Sequence, residues 1–441
     1  MAILYPFRAW RYNPSTVRLA DVVTQPYDKI SPALQQAYYQ RSPYNLVRII
    51  LGLPELFDAE RGENVYTRAA RDFAAWRREG ILIRDHSPCM YAYSQKFTVP
   101  GTSIVKERMG LIALGKLHDY SEQVVFRHEL TLSKPKSDRL NLLRATHAHF
   151  GQVFMLYSDP VRSIESLLAE GSTAPEVEIA DDYGVSHRLW RISDHGAIRL
   201  IVSAMADKKL IIADGHHRYE TALNYSREHL HEATALAEHS TGQLPQPPRP
   251  ESALMMTFVN MDSDGLVILP THRVLHSLAD FNPEPFRRSV ERYFDVETLP
   301  EGGPGTWQAR LRAELGTAFV AVTAKTAWLL RAKKDAVEEA LRFFAAHQRR
   351  LDLVQLHKLI FEQSLGLDAE AVRQQTNIRY VREAAEAVHQ VRGGEADIAF
   401  LTSPVSMDQL KEVAFAGDVM PQKSTDFYPK LLSGLTIYAL D

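Results

Sequence analysis

The sequence predicts an α+β (mixed α/β) fold of more than one domain. Short apolar runs rich in β-branched residues alternate with stretches of helical period along the whole chain. At 441 residues the chain exceeds what one hydrophobic core ordinarily holds. A stretch from His239 to Glu251, with Gly242 and four prolines, reads as a loop or linker. The expected division is a mixed α/β domain over 1–275 and a helix-rich α/β domain over 276–441 whose last loop returns to the site.

Taken in order, Ile3 to Tyr12 reads as a short strand with Pro6 near its start, and Val22 to Tyr27 as a second extended piece. Leu34, Ala37 and Tyr38 give a helix after Ser31. Ala69, Phe73 and Trp76 share one face of a helix over Val65 to Arg78, ended at Gly80. Tyr91 to Val99 alternates in period two, and Met109 to Leu114 follows the Gly101 turn, which predicts an antiparallel pair. Val124 to Leu143 is dense in polar groups, and Val153 to Tyr157 reads as a buried strand. Leu200 to Met205 suits a helix or strand, Leu210 to Ala213 a buried strand, and Tyr219 to Glu232 a helix. Ala253 to Asn260 is a further strand. Helices are expected over Phe286 to Phe294, Trp307 to Leu315, Ala336 to Arg349 and Val354 to Leu365, with strands at Phe319 to Val322 and Trp328 to Arg331. Ile398 to Leu401 and Leu435 to Ala439 supply late strands around a helix at Met407 to Gly417. No fixed-period repeat marks a solenoid.

Composition narrows the function. Hydrophobic residues make up 45% and charged residues 24%, as in ordinary folded domains. The net charge of −3 and the lack of a long Lys or Arg run argue against nucleic acid as a partner. The single cysteine, Cys89, rules out an intrachain disulfide and a cysteine-rich zinc site, and fits a reducing compartment. The first ten residues lack a secretory signal, and no segment offers about 18 uninterrupted apolar residues, so a cytoplasmic protein without a membrane partner is expected. A homodimer is compatible with the sequence.

The segment with the clearest chemistry is Asp214, Gly215, His216, His217, Arg218, between the strand Leu210 to Ala213 and the helix from Tyr219. A glycine permits close backbone approach. The first amides of the following helix lack internal partners and sit at the positive end of its dipole, so an anion is the natural ligand. Arg218 can grip phosphate oxygens with two parallel hydrogen bonds. The plainer reading makes Asp214 a helix cap and His216 and His217 surface residues; on spacing alone the two readings stand about even.

Residues 214–219 resemble the phosphate-binding turn of the ParB and sulfiredoxin-like superfamily, in which a glycine, a variable residue, His or Arg, then Arg open a helix after a strand. In sulfiredoxins the position of His216 is a reactive cysteine, and its absence here argues against sulfinic acid repair. The resemblance implies a nucleotide-binding core and admits phosphoryl transfer, since free-serine kinases are among the relatives. Nearly the whole chain resembles the bacterial family of unknown function 1015, through Gln25 to Asp28, Tyr44 to Arg48, His128 to Thr131 with Lys134, Asp138 and Arg139, then Asp214 to Tyr219, Pro270 to Arg273, and Met420 to Lys430.

Several of these blocks carry candidate site residues. His128, Glu129, Lys134, Lys136, Asp138 and Arg139 crowd charge into a short span, which on composition alone is more often a solvated loop. As site residues, Glu129 or Asp138 would hold Mg2+ or act as base, and Lys134 and Arg139 would neutralise phosphate. Thr271, His272 and Arg273 follow a strand and loop, and Lys423, Ser424, Thr425 and Lys430 form a basic loop stiffened by prolines; a surface turn and a tie-down segment are their structural alternatives. Histidine pairs at His147 and His149, or at His216 and His217, rank lower as zinc or iron ligands. The leading expectation is an enzyme that binds ATP, ADP or another nucleotide with Mg2+ and transfers a phosphoryl group to a small hydroxyl metabolite, with Asp214, Glu129, His217 or Asp138 in the acid-base role and Gly215, His216, His217, Arg218, Lys134, Arg139, Thr271, His272, Arg273, Lys423, Ser424, Thr425 and Lys430 on phosphate. The alternatives are a nucleotide-dependent switch of ParB type and a metal-dependent phosphate-ester hydrolase.

Overall fold

The computed structural model describes residues 1–59, 62–131, 133–170, 174–229 and 244–441, without the side chains of Ser133, Lys134, Glu170 and Ala369. The chain forms two compact units. The first comprises Met1–Arg127, Thr131–Val267 and Pro429–Asp441, and the second comprises His128–Leu130 and Ile268–Tyr428.

The first unit is built on a mixed sheet. Its strands are β1 (Leu4–Tyr5), β2 (Met90–Thr98), β3 (Val105–Lys116), β4 (Val125–Phe126), β5 (Val153–Tyr157), β6 (Val177–Ala180), β7 (Ser186–Ile192), β8 (Leu210–Asp214) and β9 (Ala253–Asn260). They lie in the order β4-β8-β5-β9-β3-β2-β7-β6, with β1 added to β3. The hairpin of β2 and β3 pairs Tyr91 with Ile112 and Thr98 with Val105, the antiparallel pair that the period-two pattern predicts. β8 runs parallel to β4 and antiparallel to β5, with a register shift between Ile212 and Asp214. All eight residues of β9 are buried, so the strand shows continuous burial rather than alternation.

Helices complete this unit. In α1 (Val65–Arg78), the Asn64 side chain accepts from the amides of Tyr66 and Thr67, and Ala69, Phe73 and Trp76 are buried, as their spacing predicts. α2 (Ser133–Thr146) replaces the polar stretch with a helix. α3 (His195–Met205) resolves the Leu200 segment as helical, and α4 (His216–Glu228) follows β8. One core gathers Leu111, Ile212, Tyr219, Met256 and Phe258; a second gathers Tyr38, Phe73, Trp76, Phe150 and Ile437. Ile437 reaches that core because Pro429–Asp441 rejoins this unit, where Trp10 bonds Ile437 and Thr24 bonds Ser433 through their backbones.

The second unit holds a six-stranded sheet of β10 (His272–Leu275), β11 (Phe294–Thr298), β12 (Ala318–Val322), β13 (Ala327–Ala332), β14 (Ile378–Val381) and β15 (Ile398–Leu401), in the order β11-β13-β12-β15-β10-β14. Its core includes Val274, Trp307, Val320, Leu329 and Val388.

Several sequence expectations need correction. Val22 to Tyr27 is not extended throughout: Leu19–Val22 is a helical turn, and Tyr27–Lys29 forms a 3-10 turn directly after Pro26. Asp21 is held by an ion pair with Arg18 and its carbonyl by the Asn45 amide, tertiary support that strand propensity does not register. The helix expected at Phe286 to Phe294 is Pro283–Val290, started by Asn282 and Pro283 at its first turn. Leu356–Ser364 is a π-helix, a winding that a 3.6-residue period cannot reveal. The expected late strand shortens to Tyr438–Ala439. Residues 239–243 of the Pro-rich stretch, and the end of the helix expected to reach Glu232, lie outside the described residues.

Candidate functional site

Asp214 ends β8 at the register shift, where a bulge turns a side chain away from strict alternation. Gly215 follows with φ 96° and ψ 27°, the left-handed region, and caps α4 without any side-chain cap of its own. Helix α4 thus begins at His216, three residues before the apolar pattern starts at Tyr219. His216 is buried and His217 half-buried. Tyr219 anchors the helix, its hydroxyl donating to the His118 carbonyl at 2.8 Å and accepting from the His118 amide at 3.0 Å.

The guanidinium of Arg218 lies between two glycines. A Cβ on Gly215 would stand 3.0 Å from its Nε and Nη2, and a Cβ on Gly151 would stand 3.2 Å from its Nη1. Arg218 Nη2 donates to Asp214 Oδ2 at 2.7 Å and Nη1 to the Gln152 carbonyl. Those are two of five N–H groups; among the described residues the other three make no hydrogen bond. Asp214 also accepts from Lys430 Nζ at 3.0 Å. Burial alone would raise the Asp214 pKa, but Lys430 and Arg218, with Lys29 adding to them, hold it well below the usual carboxylate range. A carboxylate so held is a poor proton acceptor, so the expected base role of Asp214 does not fit; its geometry fixes the two cations.

Arg218 lines a cleft. The other walls are Arg139, Tyr27, Thr221, Ser433 and His149, with Gly151 and the apolar Pro26, Ile50, Leu142, Leu143, Ala148 and Phe150. Arg139 donates from Nη1 to the Ile50 carbonyl at 2.7 Å and from Nε and Nη2 to its neighbour Asp138, and its guanidinium lies 4.1 Å over the Tyr27 ring. Burial pushes the Tyr27 phenol up to about 12, against the pull of both arginines. The His149 imidazole, stacked on Tyr438 at 5.9 Å, is pushed by burial down to about 4. Thr221 stands one helical turn after Arg218; it is only 4% exposed, and its Oγ1 has no hydrogen-bond partner among the described residues.

The remaining expected residues divide between the units. Asp138 belongs to the first unit and accepts from Tyr66 at 2.9 Å as well as from Arg139. Lys136 is tied to Glu220 at 3.1 Å, with Thr131 and Arg127 on the same carboxylate. The Lys134 side chain lies outside the described residues. Glu129, Thr271, His272, Arg273, Lys423, Ser424 and Thr425 fall in the second unit. There Arg273, 1% exposed, donates to the carbonyls of Thr271 and Lys423, the latter at 3.1 Å, and lies 5.5 Å over the Tyr380 ring. Burial pushes its pKa down to about 10. These bonds tie Lys423 to β10, and Thr425 bonds His128 at 2.8 Å. Ser424 is turned onto the Pro421 carbonyl, and His272 accepts from the Thr402 amide at 3.2 Å.

Among the described residues, no group of three or more His, Cys, Asp and Glu could hold a metal ion. With the Asp138 carboxylate engaged by Tyr66 and Arg139, the expected magnesium site at Glu129 and Asp138 finds no support. His147 bonds Tyr225 at 2.8 Å, and the histidine pairs form no metal cluster among these residues. No helix is long and apolar enough to cross a membrane among the described residues.

Sequence reasoning missed Thr221, Tyr27, Gly151, Gln152 and Ser433. Thr221 was detectable, three residues beyond Arg218 on the same helical face. Gly151 and Gln152 carry no local signal, because only the pairing of β5 with β8 brings them to Arg218.

The family model described as protein of unknown function, DUF1015, matches residues 4–354. No curated protein matches the chain. Among solved structures, a conserved hypothetical protein from Pyrococcus furiosus is 11% identical with a TM-score of 0.33, covering 71% of this chain and 91% of that one. A free serine kinase in complex with AMP is 12% identical with a TM-score of 0.33, covering 71% and 89%. SbnI with a C-terminal truncation, from Staphylococcus aureus, is 10% identical with a TM-score of 0.36, covering 74% and 87%. At these TM-scores the likenesses fix neither fold nor activity.

Proposed function

The chain belongs to the DUF1015 family of proteins of unknown function, and from its own residues we propose that its first unit binds a phosphate-bearing small molecule, with a nucleotide as the leading candidate. The observation that carries this reading is Arg218: a guanidinium clamped between Gly215 and Gly151, lining a cleft, with three of its five N–H groups uncommitted among the described residues. The amides that open α4 and the helix dipole add donors and partial positive charge beside it. The strand–glycine–helix order is what the resemblance of residues 214–219 to the ParB and sulfiredoxin-like turn leads one to expect. Asp214 and Lys430 hold Arg218 in place before a ligand arrives, which lowers the ordering cost of binding.

Phosphoryl transfer to a small hydroxyl compound, serine first among them, is the reaction that this reading places next. His217, half-buried at the second position of α4, is the residue of the turn assigned to accept the hydroxyl proton, since Asp214 is held as a carboxylate between cations. The test is calorimetric titration of the full chain with ATP, ADP, CTP, GTP and pyrophosphate, with and without magnesium. Binding that weakens by about 2 kcal/mol or more in Arg218→Ala is expected, the scale of lost charge-assisted hydrogen bonds. Unchanged affinity in that variant, with the fold intact by circular dichroism, removes the turn from the site.

A further inference from the structure

The cleft has a second cationic arm and an orphan hydroxyl, and together these define the ligand more closely. This inference rests on the phosphate-binding reading of Arg218. Arg139 is held from behind: Asp138 takes Nε and Nη2, the Ile50 carbonyl takes one Nη1 hydrogen, and Tyr27 supports the face of the guanidinium. Two N–H groups of Arg139 make no hydrogen bond among the described residues. Both arginines act on the Tyr27 phenol, and both line the one cleft. Thr221 adds a hydroxyl buried to 4% exposure with no partner among the described residues. A buried hydroxyl left unpaired is costly, and a ligand oxygen at this wall would satisfy it. Among the described residues no Asp or Glu lines the cleft, so a cationic ligand group has no counterpart there, while Ile50, Leu142, Leu143 and Phe150 offer an apolar wall.

We propose that the cleft takes an organic diphosphate with an uncharged, apolar or aromatic body: one phosphate on Arg218, the other on Arg139, and Thr221 Oγ1 bonded to a phosphate oxygen. A monophosphate would engage one arm and leave the other in place.

The test compares pyrophosphate with inorganic phosphate by calorimetry on the full chain and on Arg139→Gln, Thr221→Val and Arg218→Gln. The wild-type chain is expected to bind pyrophosphate at least about tenfold more tightly than phosphate. Arg139→Gln should remove most of that preference while phosphate binding stays within about twofold, and Thr221→Val should weaken pyrophosphate severalfold at a melting temperature no lower than that of the wild type. Arg218→Gln should weaken both anions. Equal wild-type affinities for the two anions overturn the diphosphate proposal even if Arg139→Gln does not fold, as does an equal loss of both in that variant. Binding of neither anion, or of both unchanged in Arg218→Gln, overturns the underlying phosphate reading instead.

Discussion

The chemistry of the turn rests on single atoms. Gly215 satisfies two demands at once, a φ of 96° and a Cβ position 3.0 to 3.1 Å from the Arg218 guanidinium. Gly215→Ala therefore meets both backbone strain and a collision with a side chain whose other flank is closed by Gly151, and we expect a loss of about 1–3 kcal/mol in urea unfolding together with weaker anion binding. A stable variant with native affinity would show that Arg218 has room to move. Asp214→Asn tests the opposite side of the same guanidinium. It leaves Lys430 and Arg218 facing an uncharged amide, and because the Asp214 side chain is 18% exposed the expected cost is about 2 kcal/mol, below that of a fully dry pair. No loss of stability would mean that the two cations are compensated elsewhere. The sequence exposed Gly215 and Arg218 as a pair because their spacing is local, whereas Gly151 is invisible without the strand pairing that places it.

At the scale of elements, legibility followed the reach of the deciding force. Helix α1 was readable to the residue because its Asn64 cap, its buried Ala69, Phe73 and Trp76, and its end lie within one continuous stretch. The strand–turn–helix of 210–219 was readable in order, but its helix starts at His216 because a left-handed glycine, not a polar side chain, makes the cap. The last segment was less legible. Pro429–Asp441 holds little regular structure, with Tyr438–Ala439 its short strand, yet it delivers Lys430 to Asp214, Ser433 to the cleft and Ile437 to a core. It is fixed by side chains that donate to its backbone carbonyls: the Gln95 side-chain amide to the Lys430 carbonyl at 2.8 Å, and the Arg108 guanidinium to the Pro429 carbonyl. Lys430→Ala should destabilise the protein by about 2–3 kcal/mol, since Lys430 is 8% exposed and its loss takes away one of the two cations bonded to Asp214. The same variant should weaken anion binding less than Arg218→Ala does, because Lys430 acts through Asp214. A variant with unchanged unfolding free energy would separate this segment from the stability of the turn.

On the scale of the whole molecule, composition reported class and charge, while the state of two histidines, His149 half-buried and His272 fully buried, emerges only from packing. His149 in the first unit and His272 in the second are both pushed down to about 4, in each case chiefly by burial, with Arg273 adding to the effect at His272. In the unfolded chain each would titrate near 6.5. Above that pH neither form carries the proton and the two states are balanced; as pH falls from about 6.5 towards 4 the unfolded chain takes up protons that the folded one refuses. Stability is thus fully present at neutral pH and declines through this window. Each histidine should account for about 1–3 kcal/mol of the loss, on the basis of 1.36 kcal/mol per pKa unit. Asp214 does not contribute in the same range: its pKa is depressed below 3.8, so its stabilisation is lost only at lower pH. Urea midpoints measured between pH 8 and pH 4.5 should fall across the histidine window, and the combined His149→Gln and His272→Gln chain should show a flatter profile. A wild-type midpoint that holds constant to pH 4.5 would mean that both imidazoles accept a proton within the folded protein, and with it that the wall of the cleft beside His149 is wetter than its packing implies.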